Sequence, residues 1–169
     1  MSSRITKSIA ITVFAASLAA CSSVPLDEPT TGTGVGAGTG TDSATTGQVM
    51  DPFNPQSPLA QQRSVYFEFD SYTVPEQYRS LIEMHASYLT RNTQQNIRIE
   101  GHADARGGSE YNLALGQRRS NAVGRMMTLM GVNNAQIETI SFGKERPKAL
   151  GHTEADYAEN RRADIVYQR

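Results

Sequence analysis

Between Gly101 and Arg119 the chain gathers residue types able to grip a charged molecule. The run Gly101, His102, Ala103, Asp104, Ala105, Arg106, Gly107, Gly108 is followed by Glu110, Tyr111, Asn112, Leu115, Gly116, Arg118 and Arg119. A carboxylate on a glycine-rich loop can accept from an ammonium, and a guanidinium can hold a carboxylate through two parallel N–H donors. Asp104 and Arg119 therefore have two readings. They form either an internal salt bridge that fixes loop to helix or a pair lining a cleft and shared with a zwitterionic ligand, and spacing leaves both open. His102, Asp104 and the distant His152 also make an H-x-D plus His pattern that could hold a metal ion. Such short motifs often arise by chance, and His102 reads more simply as ordering its loop and His152 as part of a surface turn. The chain has no Gly-x-Ser-x-Gly motif to support a nucleophilic hydrolase.

The elements that must place these residues follow from periodicity. Asn96 to Glu100 is strand-like. After Tyr111 the larger apolar residues fall at Leu115, Val123, Met126 and Met130, with Ala122 beside them, which is close to the helical repeat. Ser109 is the expected N-cap and Gly131 the expected C′ residue. Arg119 lies four residues from both Leu115 and Val123, so it shares the apolar stripe. A permanent charge there needs carboxylate or carbonyl partners.

Upstream, Val65, Phe67 and Phe69 alternate with Tyr66, Glu68 and Asp70, a strand pattern. Thr73 and Glu76 fit a capping box, Pro75 suits a first helical turn, and Tyr78, Leu81, Ile82, His85 and Leu89 share one face, which makes His85 a core histidine with a hydrogen-bond partner. Ile97 with Ile99, Ile140 with Phe142, and Ala163, Ile165 and Tyr167 mark three further strands. Strands alternating with helices predict a layered α/β or α+β domain over residues 63–169. Asp70 and Asp104 lie just past strand ends, where loops of such sheets commonly converge on a ligand. Gly143 and Pro147 bracket a turn, and Arg161 and Arg162 are read as structural ion-pair partners.

The amino terminus reads as an export signal. Arg4 and Lys7 precede an apolar Ile9 to Leu18, and Ala19 and Ala20 are small. Leu18, Ala19, Ala20, Cys21 resembles the lipobox of bacterial lipoproteins, placing the only cysteine where a lipid would be attached. Several acyl chains, at about 0.8 kcal/mol per buried methylene, anchor a protein firmly. By that resemblance, the absence of Asp after Cys21 favours the outer membrane, with the folded head in the periplasm. Residues 22–62 contain five prolines and no Lys or Arg, alternate Gly with Thr, Val or Ala from Thr31 to Gly40, and read as a flexible tether. Such a chain would span roughly 35 Å on average and on the order of 130 Å when stretched. The formal charge is −1 from 16 basic and 17 acidic residues, and removing Arg4 and Lys7 with the signal makes it −3. A mildly acidic protein is not built for nucleic acid, so none is expected as a partner.

Five segments taken together, VYFEFD (65–70), EGHADAR (100–106), EYNLALGQRRSNAV (110–123), FGKERP (142–147) and LGHTEADYAENRR (150–162), resemble the OmpA-like domain family, and within it the peptidoglycan-associated lipoprotein branch. The resemblance implies an α+β fold, a two-layer sandwich of helices on a four-stranded mixed β-sheet. It implies noncovalent binding of the peptidoglycan stem peptide at its diaminopimelate residue, with Asp104 accepting from the ammonium and Arg119 holding a carboxylate. Asp70 and the backbone near Phe69 match the cleft rim, and Arg106 and Leu115 match further contacts. TolB and other Tol-system proteins are the protein partners it implies, with a role in cell division and envelope integrity. Ala103 departs from the broader family, where Thr is frequent, while Gly116 follows the narrower branch. No catalytic residue, cofactor or metal is expected. A metal-dependent periplasmic enzyme using the His102, Asp104 and His152 pattern is the alternative, and a lipoprotein whose head binds only protein is a third reading.

Overall fold

A computed structural model of the chain describes residues 50–169. The signal segment, Cys21 and the tether through residue 49 lie outside the described residues. The elements are α1 (Pro58–Gln61), β1 (Ser64–Tyr66), a 3-10 turn (Glu76–Tyr78) leading into α2 (Arg79–Arg91), β2 (Ile97–His102), α3 (Ser109–Leu129), a second 3-10 turn (Asn134–Gln136), β3 (Ile137–Gly143), α4 (Glu154–Asn160) and β4 (Arg162–Tyr167). The four strands form one mixed sheet in the order β1-β4-β2-β3. β4 pairs antiparallel with both β1 and β2, while β2 and β3 run parallel. A parallel pair needs a long crossover, and α3 supplies it.

Strand alternation decides which face is covered. Ile97, Ile99, Ala163, Ile165 and Tyr167 point to one side, with Ile99 opposite Ile165 and Ile97 opposite Tyr167. That side packs against Ile82, Ala86 and Leu89 of α2 and Val123 and Met127 of α3. The helices lie on the sheet as the expected two-layer α+β sandwich. α3 ends as predicted, with Gly131 at φ +96° and the paired bonds from Val132 N–H to the Met127 carbonyl and Gly131 N–H to the Thr128 carbonyl that close a helix C-terminus. At one point the layers meet backbone to backbone. A Cβ placed on Gly101 of β2 would lie 1.9 Å from the Gly116 carbonyl oxygen of α3.

Four local expectations need correction. The strand expected through Phe69 stops at Tyr66; the chain then turns at Asp70, which has φ +53°, and the Phe69 ring is exposed instead of inward. No Thr73 capping box forms. Pro75 stands at the N-cap of the 3-10 turn without a side-chain cap. Gly108, not Ser109, caps α3. The folded unit also starts upstream of residue 63: Ser57 Oγ caps α1, Leu59 is fully buried, and the Gln62 carbonyl bonds to His85. Buried Leu59, the Gln62 bond to His85 and the edge-on packing of Phe53 on Tyr167 together hold this segment on the domain.

His85 is the core histidine expected, its ring nitrogens 2.8 Å from the Tyr167 hydroxyl and 2.7 Å from the Gln62 carbonyl oxygen. Burial, only partly countered by that carbonyl, pushes its pKa down to about 4. Burial and the nearby Arg162 do the same to His102, also to about 4. Both values lie below the unfolded one, so between pH 6.5 and about 4 the unfolded chain binds protons that the folded chain refuses. Stability is complete above this window and falls as acid is added across it, by a few kcal/mol, on the order of 3 per histidine. Urea unfolding at pH 7.0, 5.5 and 4.5 should show a steadily decreasing midpoint, and a flat profile would contradict the two buried neutral rings.

Candidate functional site

β2 delivers its last residues to the end of the sheet, and the loop that follows carries Asp104 and Arg106 before α3 begins. β1 ends at the same edge, so the Phe69–Asp70 turn faces that loop. Between them lies an open pocket of about 190 Å³ lined by Phe69, Asp70, Asp104, Arg106, Leu115 and Arg119, together with Gly107, Tyr111 and Asn112. All six residues expected from the sequence are thus brought together.

Arg119 forms the floor. It is completely buried, and its three nitrogens donate to backbone carbonyls: Nε to Ser71 at 2.8 Å, Nη1 to His102 at 2.8 Å and Nη2 to Glu68 at 3.1 Å. The ring of Phe67 lies 5.2 Å from the guanidinium carbon. Of the two readings of a buried arginine, carbonyl partners therefore prevail over a direct bond to Asp104. Burial lowers its pKa to about 10, with the Asp104 charge working the other way, so it stays cationic at neutral pH. Neutral carbonyls satisfy its donors without cancelling its charge. A guanidinium has five N–H groups, and these three bonds do not exhaust them.

Asp104 is nearly buried and heavily bonded. Oδ1 accepts from the Arg106 backbone at 3.1 Å and from Arg106 Nε at 3.3 Å, while Oδ2 lies 2.6 Å from Arg106 Nη2 and 3.5 Å from Arg161 Nη1. Burial favours the neutral acid, but the hydrogen bonds from Arg106 outweigh it and hold the carboxyl below its ordinary value. Arg161 also reaches Glu154 at 2.7 Å and the Phe67 carbonyl at 3.1 Å. Its reading as an ion-pair partner is correct, and so is that of Arg162, 2.8 Å from Asp164. At the rim, the Tyr111 hydroxyl donates to Asp70.

Sequence reasoning missed the part played by α4. Glu154 bonds both Arg106 and Arg161, and Tyr157 stacks on Arg106 at 4.4 Å opposite Phe69 at 4.3 Å. The one available signal was the spacing of Glu154, Tyr157 and Arg161, which puts all three on one side of a short helix.

The metal pattern does not assemble. His102 is buried against Phe142 and points toward Asp164, 3.6 Å away, with both ring nitrogens unbonded. His152 lies against Tyr157. Among the described residues no three His, Cys, Asp or Glu side chains could share a metal ion.

A profile of the OmpA family matches residues 66–161. The peptidoglycan-associated lipoprotein of Pasteurella multocida is 35% identical over 164 residues, which is 97% of this chain and 99% of that protein. The crystal structure of the peptidoglycan-associated lipoprotein from Burkholderia pseudomallei matches with a TM-score of 0.67 at 58% identity, covering 69% of this chain and 98% of that one. The C-terminal domain of Helicobacter pylori MotB, at 21% identity and a TM-score of 0.58 over 63% of this chain and 84% of that one, shares the fold.

Proposed function

The chain belongs to the OmpA family, and from that premise we propose that it is a peptidoglycan-binding lipoprotein of the cell envelope, tied at Cys21 to the outer membrane and gripping the wall with its folded head. The family is a structural, non-enzymatic one, and the chain is not an enzyme. The reading is carried by one observation: a fully buried guanidinium, held only by neutral carbonyls, forms the floor of a pocket whose wall bears a buried carboxylate. Such a pair has the polarity of an amino-acid centre. Its cation end suits a carboxylate and its anion end suits an ammonium, both charges desolvated enough to make the contacts strong.

The D-centre of diaminopimelate in a peptidoglycan stem peptide carries those two groups side by side. Arg119 would take its carboxylate through the N–H groups left over from the carbonyls, and Asp104 its ammonium. Asp70, the Phe69 backbone, Arg106 and Leu115 complete the pocket wall. Binding would be noncovalent, which allows the head to release and rebind as the wall is remodelled. The Tol system, TolB included, is proposed as the protein partner on family resemblance alone.

Pelleting with protein-free sacculi tests the reading. The intact protein should sediment with the wall, and Asp104→Asn, which keeps shape but removes the charge, should leave most of it in the supernatant. Unchanged pelleting of folded Asp104→Asn would sink the assignment. In fractionated cells Cys21→Ser should leave the membrane fraction, while the purified variant should still sediment with sacculi.

A further inference from the structure

Both oxygens of Asp104 already carry a cation of the protein itself. Arg106 and Arg161 face Asp104 and Glu154 in a closed ring of ion pairs, at 2.6 and 3.2 Å from Arg106 and 3.5 and 2.7 Å from Arg161. With the buried Arg119 charge beneath the ring and Asp70 at the rim, three positive charges around the pocket are matched by three negative ones. The two arginines differ in freedom. Arg161 is 7% exposed and is also tied to the Phe67 carbonyl, whereas Arg106 is 37% exposed and its guanidinium lies between the rings of Phe69 and Tyr157. Only Arg106 can leave Asp104 without dragging a buried charge through the core.

Resting on the reading of this pocket given above, we propose that Arg106 is an exchangeable counter-ion that sets the ligand class, yielding Asp104 to an ammonium only when the same centre of the ligand brings a carboxylate for the released guanidinium. An amine alone would put four cations against three carboxylates in a partly desolvated pocket. A zwitterionic centre adds one charge of each sign and restores the match. The aromatic slot lets the guanidinium shift from Asp104 to the incoming carboxylate while keeping its stacking contacts, and Glu154 holds it during the exchange. Arg106 is in this view the selectivity element, and Arg119 the fixed carboxylate anchor beneath it. The ligand class is an amino-acid centre with free ammonium and free carboxylate on one carbon; a lone side-chain amine, or the same centre with its carboxylate converted to an amide, is refused.

Calorimetric titration of the full-length protein in detergent with three synthetic tripeptides tests this. The probes are L-alanyl-γ-D-glutamyl-meso-diaminopimelate, its D-centre carboxamide, and the L-lysine analogue. The unaltered protein should prefer the first by about tenfold or more over the other two, as expected when a buried charged group is left without its partner. Arg106→Gln should weaken the first probe and tighten the lysine probe several-fold, so that the preference collapses toward one. Arg106→Lys keeps the charge count and should keep the preference. If Arg106→Gln weakens the diaminopimelate probe yet leaves the lysine probe unchanged or weaker, Arg106 is only an attractive contact and the exchange is overturned. A preference lost in Arg106→Lys overturns it equally. If Asp104→Asn abolishes binding while Arg106→Gln preserves the preference, the pocket assignment stands and the exchange alone fails. Failure of the unaltered protein to bind any of the three probes overturns both.

Discussion

Replacing Gly101 by alanine should cost on the order of 3 kcal/mol of stability or more, at the upper end of what overpacking does. The new methyl carbon would sit 1.9 Å from the Gly116 carbonyl oxygen and 2.6 Å from its carbon. Both partners are backbone of regular elements, so no side chain can rotate away, and β2 and α3 must move apart along their whole contact. The melting temperature should fall by roughly 10–20 °C for a domain of this size. Gly116→Ala is the control. Its Cβ meets the rotatable Ser141 hydroxyl at 2.3 Å, with the Gly101 carbonyl oxygen at 2.9 Å, so the loss should be smaller. Equal melting temperatures for the two variants would show that the layers are not packed as described. Gly101 also precedes His102, whose carbonyl receives Arg119, so the stability loss should be accompanied by weaker wall binding.

The second large effect is expected at Arg119. Arg119→Ala removes a donor from each of the Glu68, Ser71 and His102 carbonyls at once. Hydrogen bonds from charged donors are worth about 1.5–3 kcal/mol each, and losing three shared ones should cost at least about 3 kcal/mol. The loop from Glu68 to Ser71 should loosen first, since two of the three bonds hold it. Sacculus pelleting should vanish along with the anchor. Arg119→Lys separates the two roles: it keeps the cation but cannot span three carbonyls in a fixed fork, so stability should fall part-way and binding remain well below normal. Urea unfolding and pelleting measured on the same samples decide the matter. A stable Arg119→Ala variant with full pelleting would refute the role of the buried charge in both fold and site.

The mixed sheet and the helices over it were legible because Ile97, Ile99, Ala163 and Ile165 alternate cleanly and Leu115, Val123 and Met126 keep helical phase. The position of Arg119 on that stripe also foretold its burial. Its partners were not legible, because Glu68, Ser71 and His102 offer carbonyl oxygens, which every residue has and no sequence pattern marks. Phe69 misled for a related reason. Alternation continued through it, but strand pairing ends at Tyr66 and the chain turns at Asp70 in a left-handed conformation, which an aspartate tolerates through local bonding without announcing it. Arg106 was a candidate only through the family resemblance of its loop, whereas its neighbours on α4 were not, since Glu154 and Tyr157 lie about fifty residues downstream and join it only through tertiary folding. The end of the tether was misplaced because Phe53 and Gln62 are held by Tyr167 and His85, residues that only tertiary folding brings to them.

The pairing of β1 has a mechanical consequence. Tension arriving from the membrane would enter the head around Phe53 to Arg63, where Phe53 packs edge-on against Tyr167 and Gln62 is clasped by His85. Under the proposed binding it would leave through Asp104 and Arg119, on the loop after β2 and on α3, at the end of the sheet where β1 also finishes. The pull thus runs lengthwise along β1, whose three register positions with β4 lie across that line and share it simultaneously. Shear of this kind resists far better than peeling, which breaks one rung at a time. A short strand so oriented acts as a rivet.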